Sequence, residues 1–266
     1  MKIYRCKYKG KIFYGILKEN RIYPISGSIF RKFKVQEQEI SLGEVTFLPP
    51  VKPSKIIAVG RNYKEHAQEM GKPVPKEPLL FLKPPSAVIG PGDIIIYPPQ
   101  SSRVDYEGEL TVVIKKKISG LSPEDEVEPY ILGYTCFNDI TARDLQEKDT
   151  QFTRSKSFDT FAAVGPCIAM GLDPGRLKLK TFLNGKLRQS GNTRNFIFSV
   201  PFLIRFISNI MTLFPGDLIA TGTPAGVGPM SPGDRVDVQI EGIGVLSNTV
   251  MRIWPQMSGG VSPKPR

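Results

Sequence analysis

The chain has a single histidine, and it stands in the run Gly60-Arg61-Asn62-Tyr63-Lys64-Glu65-His66-Ala67-Gln68-Glu69. Asn62 followed by Glu65 has the form of a capping box, which predicts a short helix over 62–70. Gly71 can end that helix, and Pro73 and Pro75 prevent its restart. His66 and Glu69 then stand at i and i+3 on one face, close enough to hydrogen-bond. A carboxylate beside an imidazole fixes its tautomer and raises its basicity, which is what a general base requires. An isolated HxxE is more often the polar face of a surface helix, so the pair gains meaning only from what lies elsewhere in the chain.

What lies elsewhere is a set of carboxylates. The run Val104-Asp105-Tyr106-Glu107-Gly108-Glu109-Leu110-Thr111-Val112-Val113-Ile114 ends in β-branched residues and reads as one strand. Side chains alternate along a strand, so Glu107 and Glu109 point to the same side. Like charges this close repel unless a cation sits between them. Two oxygen donors on one face make half of a site for a hard ion such as Mg2+, Mn2+ or Ca2+. A further carboxylate is expected nearby, and Asp139 ends the next apolar run, 130–138. Gly108, inside the strand, suggests close approach of a ligand or another part of the chain.

The elements that must position these groups are mostly strands. Short alternating runs at 11–17 and 21–25 predict a small β-rich N-terminal domain over 1–52, bounded by Pro49-Pro50 and Pro53. A larger domain follows over 53–254, and 255–266 reads as a flexible tail. Pro-Gly-Asp occurs at 91–93, 215–217 and 232–234, each time before apolar residues, as a type II turn into a strand. Asn184-Gly185 is a hairpin signal. Two helices stand out. Thr141 is placed to cap Ala142–Lys148, with Arg143 and Gln146 at i and i+3 close to Asp139. Ser199 is placed to cap Val200–Leu213, burying Leu203, Ile204, Ile207, Ile210 and Met211.

Composition narrows the class. Three cysteines, Cys6, Cys136 and Cys167, without CxxC spacing give neither a disulfide framework nor a zinc site, and a reduced, cytoplasmic setting is expected. The N-terminus lacks the apolar core of a signal peptide, and the stretch 202–214 is too short and too charged to span a membrane. The net charge of +11 raises a basic nucleic-acid-binding β protein as an alternative. The lysines are spread along the chain and no basic helix or RNP-like motif is present, so no nucleic-acid partner is expected. A basic surface equally suits a small anionic substrate.

Eight blocks in order resemble the fumarylacetoacetate hydrolase superfamily. They are GRNYKEHAQEMG (60–71), EPLLFLKPPS (77–86), VDYEGELTVVI (104–114), NDITARDLQEKD (138–149), RSKSFDTFAAVGP (154–166), FLNGKLRQSGNT (182–193), PGDLIATGTPAGVGP (215–229) and PGDRVDVQIEGIGVLSNTV (232–250). The resemblance covers about 56–250. It implies a mostly β (α+β) fold, a mixed β-sandwich roll with few short helices.

By position, the resemblance assigns Glu107, Glu109 and Asp139 to a Mg2+ or Mn2+ ion, with Ca2+ able to replace it. His66 and Glu69 resemble the dyad that activates water or moves a proton. Lys156, in the K-S-F-D block, resembles the cation that neutralises developing enolate charge. Arg61, Arg143, Gln146 and Thr223 resemble contacts to substrate carboxylate and carbonyl groups. Some members place a fourth metal-binding carboxylate shortly before the histidine; here Ala58-Val59-Gly60 stands there. That points away from fumarylacetoacetate and towards the smaller acylpyruvase, isomerase and decarboxylase members.

The expected activity is therefore that of a divalent-metal-dependent enzyme acting on a small anionic 2-oxo acid, with C–C hydrolysis of an acylpyruvate foremost. Isomerisation or decarboxylation of a 2-hydroxyhepta-2,4-diene-1,7-dioate type, and dehydration of a 2-oxo acid, stay open. The helix at 62–70, flanked by Gly60 and Gly71, suits a lid. The resemblance and the apolar helix together imply a homodimer.

Overall fold

The computed structural model describes residues 1–252, and the tail read at 255–266 lies outside them. Twenty-one strands and four short α-helices make up the described residues, so the chain is mostly β. A 13-stranded sheet runs from Phe33–Val35 through Arg21–Gly27, Lys11–Lys18, Lys2–Tyr8, Ala162–Ala169, Ile131–Asp139, Gly108–Ile114, Leu218–Ala220 and Ile56–Gly60 to Leu79–Lys83. Lys2–Tyr8 pairs antiparallel with Ala162–Ala169, Ile3 opposite Ile168, so the sheet continues without a break from the first fifty residues into the rest.

Gly108–Ile114 and Ile131–Asp139 lie at the centre of this sheet and are buried almost throughout. Their side chains alternate between two apolar layers. Leu110, Val112 and Ile114 pack with Val236, Val238 and Leu246 of a second, five-stranded sheet. Val113 and Phe137 join Ile56, Ala58, Ala162 and Leu218 on the other face. Period-two alternation places Glu109 with Val113, on that second face.

The turn signals act as their chemistry dictates. Gly92, Gly216 and Gly233 of the three Pro-Gly-Asp segments take φ of +79°, +89° and +96°, as the third residue of a type II turn must. Asn184 and Gly185 both have positive φ and close the hairpin Lys178–Leu183/Lys186–Asn192.

Three local expectations give way to longer-range contacts. Asn62 does not cap the first helix, which spans Lys64–Glu69 with Tyr63 at the cap position. Its side chain is buried, donating to Phe198 O (3.1 Å) and Thr221 O (2.8 Å) and accepting from Phe198 N (2.7 Å). Thr141 does not cap the next helix, Arg143–Lys148, because its hydroxyl donates to Asp139 O (2.9 Å). Ser199 does cap its helix, but Val200–Ser208 stops short of Leu213. Asn209 ends it by donating to Arg205 O (2.9 Å) and Leu121 O (2.8 Å), and Ile210 is left 57% exposed.

The three cysteines are free and buried. Burial pushes the Cys6 thiol to about 12 and the Cys167 thiol to about 11, far from a reactive thiolate. Among the described residues no helix is long and apolar enough to cross a membrane.

Candidate active site

The site's floor is made where the chain changes sheets. Val104–Tyr106 belongs to a small three-stranded sheet and Gly108–Ile114 to the large one, with Glu107 at the junction. The ExE segment is thus two strands rather than one, yet Glu107 and Glu109 still face the same side. Gly108 pairs with Asn138, and Asp139 N donates to Glu107 O (2.8 Å), so the register sets Asp139 beside the glutamates. A Cβ at Gly108 would collide with the Thr181 hydroxyl, so the close approach expected there comes from the neighbouring hairpin. Glu107, Glu109 and Asp139 are all buried and each offers an oxygen, all within 4.8 Å of one another.

Cations of the chain surround two of these carboxylates. Lys156 Nζ donates to Glu107 Oε2 (3.0 Å) and Asp139 Oδ2 (2.6 Å). Arg143 Nη2 donates to Glu107 Oε1 (2.5 Å), its Nε to Asp105 Oδ2 (2.9 Å), and its Nη1 to Gln146 Oε1 (2.5 Å). Lys83 Nζ donates to Asp139 Oδ1 and to Ile140 O. Burial acts to raise the Glu107 carboxyl, but Lys156 and Arg143 outweigh it and hold the group well below the usual carboxylate range. Burial pulls the Lys83 ammonium down to about 8 against the attraction of Asp139.

Glu109 differs. Among the described residues it has no cationic partner and one hydrogen bond, from Gly222 N (2.8 Å). Burial, then Asp139 and Glu107, push its carboxyl well above the ordinary range. Four buried carboxylates, Asp105 included, thus face three buried cations. A buried carboxylate with a free oxygen turned to two others is what an oxygen-preferring divalent ion would complete, and the three donors are all carboxylates, with no thiolate or imidazole among them to favour a softer metal. The residues fit Mg2+ or Mn2+.

A cavity of about 520 Å³ opens above this floor, with Arg61, Gln146 and Thr223 in its wall beside Val59, Leu79, Phe81 and Phe152. His66 lines it from the rim helix. His66 Nδ1 lies 3.0 Å from Glu69 Oε2, and Glu69 Oε1 accepts from Gly226 N (2.9 Å). Glu69 is therefore held through both oxygens, and Nε2 is the imidazole nitrogen left for the cavity. Lys156 also sits 5.0 Å from the centre of the Phe81 ring, which meets Phe152 edge-on.

Nine of the ten residues singled out in the sequence line this cavity, and the tenth, Glu69, stands behind His66. Two are used differently from a simple substrate contact. The Thr223 hydroxyl donates to Gly108 O (2.9 Å), and the loop's Gly222 and Gly226 amides bind the chain's own Glu109 and Glu69. Arg61 has φ +56° and, among the described residues, its side chain reaches only Pro73 O (3.4 Å). Sequence reasoning passed over Asp105 and Lys83. The alternation that joins Glu107 to Glu109 extends back to Asp105. Lys83 follows Leu79 and Phe81 at the same period, on the face that lines the cavity.

Residues 55–251 match the family described as fumarylacetoacetate (FAA) hydrolase C-terminal, and residues 1–50 match one described as Rv2993c-like, N-terminal. The oxaloacetate tautomerase YisK of Bacillus subtilis is 47% identical over 225 residues, 79% of this chain and 74% of its own length. A 5-carboxymethyl-2-hydroxymuconate delta-isomerase from Mycobacterium smegmatis superimposes with a TM-score of 0.89 at 38% identity, over 95% of this chain and all of its own. A maleylpyruvate hydrolase from Sphingobium sp. SYK-6, solved with manganese(II) and pyruvate, does so at 0.77 and 30% identity, over 95% and 99% of the two chains. Over both its sequence and its fold, the chain belongs to the fumarylacetoacetate hydrolase family of enzymes.

Proposed function

We propose that the chain is a divalent-cation-dependent enzyme that moves a proton at the carbon next to the carbonyl of a small 2-oxo acid, in keto–enol tautomerisation of an oxaloacetate-like diacid. The observation that carries this reading is the lone histidine, oriented by Glu69, lining the same cavity as a carboxylate triad ringed by lysine and arginine. The similarity to an oxaloacetate tautomerase supports it. A cation held by Glu107, Glu109 and Asp139 would supply Lewis-acid polarisation of the 2-oxo group.

The chain's own groups do the rest. The Lys156 ammonium has three donors and spends two on Glu107 and Asp139, leaving one for the substrate oxygen. Arg143 places three of its five N–H groups inside the chain and keeps two for a carboxylate. Both set positive charge where the enolate oxygen becomes negative. With Glu69 holding the Nδ1 proton, His66 Nε2 takes a proton from carbon 3 and returns it at the 2-oxygen, or the reverse.

C–C hydrolysis of an acylpyruvate is the second reading, supported by the maleylpyruvate hydrolase likeness. The same nitrogen would then take its proton from water. Following oxaloacetate enol decay and pyruvate release from acylpyruvates, with Mg2+, separates them. Faster enol decay without pyruvate release favours the first reading, and pyruvate release from an acylpyruvate favours the second. For assembly we propose a two-fold dimer. Phe202, Ile210 and Phe214 leave apolar surface exposed, and a monomer by light scattering at micromolar concentration would refute it.

A further inference from the structure

We propose that Gln189, on the hairpin strand Lys186–Asn192, is a positioning residue that locks the metal-binding strand to the loop 221–228. The proposal rests on the reading that Glu107, Glu109 and Asp139 hold a divalent cation. Gln189 is fully buried. Its Oε1 accepts from Gly108 N (2.9 Å), the amide between the two glutamates. Its Nε2 donates to Thr223 Oγ1 (2.7 Å) and Pro224 O (2.8 Å). Thr223 Oγ1 in turn donates back to Gly108 O. The result is a closed ring, Gly108 to Gln189 to Thr223 to Gly108, in which both polar groups of the Gly108 residue are held by side chains.

Two glycines let the hairpin come this close. A Cβ at Gly191 would lie 2.7 Å from Pro224 Cβ, and one at Gly226 would collide with Arg188 O. The same loop supplies Gly222 N to Glu109 and Gly226 N to Glu69. Gln189 touches neither cavity nor carboxylate, yet the floor and the rim both depend on the loop it holds. No shorter or non-donating side chain spans the three partners.

The test compares Gln189→Met, near in size but unable to hydrogen-bond, with Leu179→Ala. Leu179 is a buried core residue of the same hairpin, paired with Gly191 and Ile240, has no side-chain hydrogen bond to the loop, and controls for loss of hairpin packing. Mn2+ titration calorimetry should show binding about 10–100-fold weaker in Gln189→Met, the usual cost of losing an outer-shell partner, and unchanged in Leu179→Ala. Amide exchange at Gly222 and Gly226 should quicken in the first variant alone. If Gln189→Met does not fold, Gln189→Glu, which keeps the acceptor for Gly108 and loses the donor, is expected to show the same two changes. Equal affinities, or the same loss in both variants, overturn the proposal. If the unaltered chain binds no Mn2+, the metal reading fails, and the exchange comparison alone decides for or against Gln189.

Discussion

The floor and the rim of the cavity are built in opposite ways. On the floor, Glu109, Asp139, Lys83 and Lys156 are each 2% exposed or less. Glu109 and Asp139 belong to central strands of the large sheet, held by hydrogen-bonded neighbours on both sides. On the rim, His66 and Glu69 sit on a helix of six residues, with the Glu69 side chain 32% exposed. A helix that short does not stand alone in water. It is fastened at its entry by Asn62 and at its exit by the Glu69–Gly226 bond. The contrast teaches a division of labour. Glu109 and Asp139 come from buried, paired strands, and the imidazole proposed to carry a proton comes from a short helix at the edge of the cavity.

The comparison can be broken first on the floor. Asp139→Ala strips Lys83 of its carboxylate and Lys156 of one of its two, so denaturant unfolding should show a loss of about 3–5 kcal/mol together with loss of divalent binding. Glu109→Gln removes a ligand that has no cation of its own. It should fold normally, and its melting temperature should not respond to Mg2+, whereas the unaltered chain should gain about 2.7 kcal/mol at a hundred times the dissociation constant.

On the rim, His66→Ala should lower turnover about 10²–10⁴-fold while calorimetric Mn2+ affinity stays unchanged. A metal affinity that fell with it would mean the two regions are one. Glu69→Gln should cost less turnover than His66→Ala, since the imidazole remains, and should mainly raise amide exchange across 64–70. Arg61→Ala should have the smallest effect, raising KM with kcat retained, as among the described residues its guanidinium is tied only to Pro73 O.

Much of the floor was legible from alternation alone. Glu107 and Glu109 face one side by period two, and the apolar run 131–139 delivers Asp139. Asp105 and Lys83 obey the same rule and were missed because each reads singly as an ordinary surface charge. Turns were legible because Pro-Gly-Asp and Asn-Gly act through their own backbone. Caps were less so: Asn62 and Thr141 have the right chemistry, but partners more than a hundred residues away for Asn62, and the Asp139 carbonyl for Thr141, take their side chains. The pairing of the first strand with 162–169, and the reach of Gln189 to Gly108, have no local signal. Only the folded topology brings them together.

The most direct test of the whole account is the decay of oxaloacetate enol followed with the purified chain in Mg2+ and in excess chelator, alongside Glu109→Gln. The account predicts acceleration over buffer in Mg2+, none in chelator, and none for Glu109→Gln in either. Equal acceleration with and without the divalent ion, or full activity in Glu109→Gln, would contradict it.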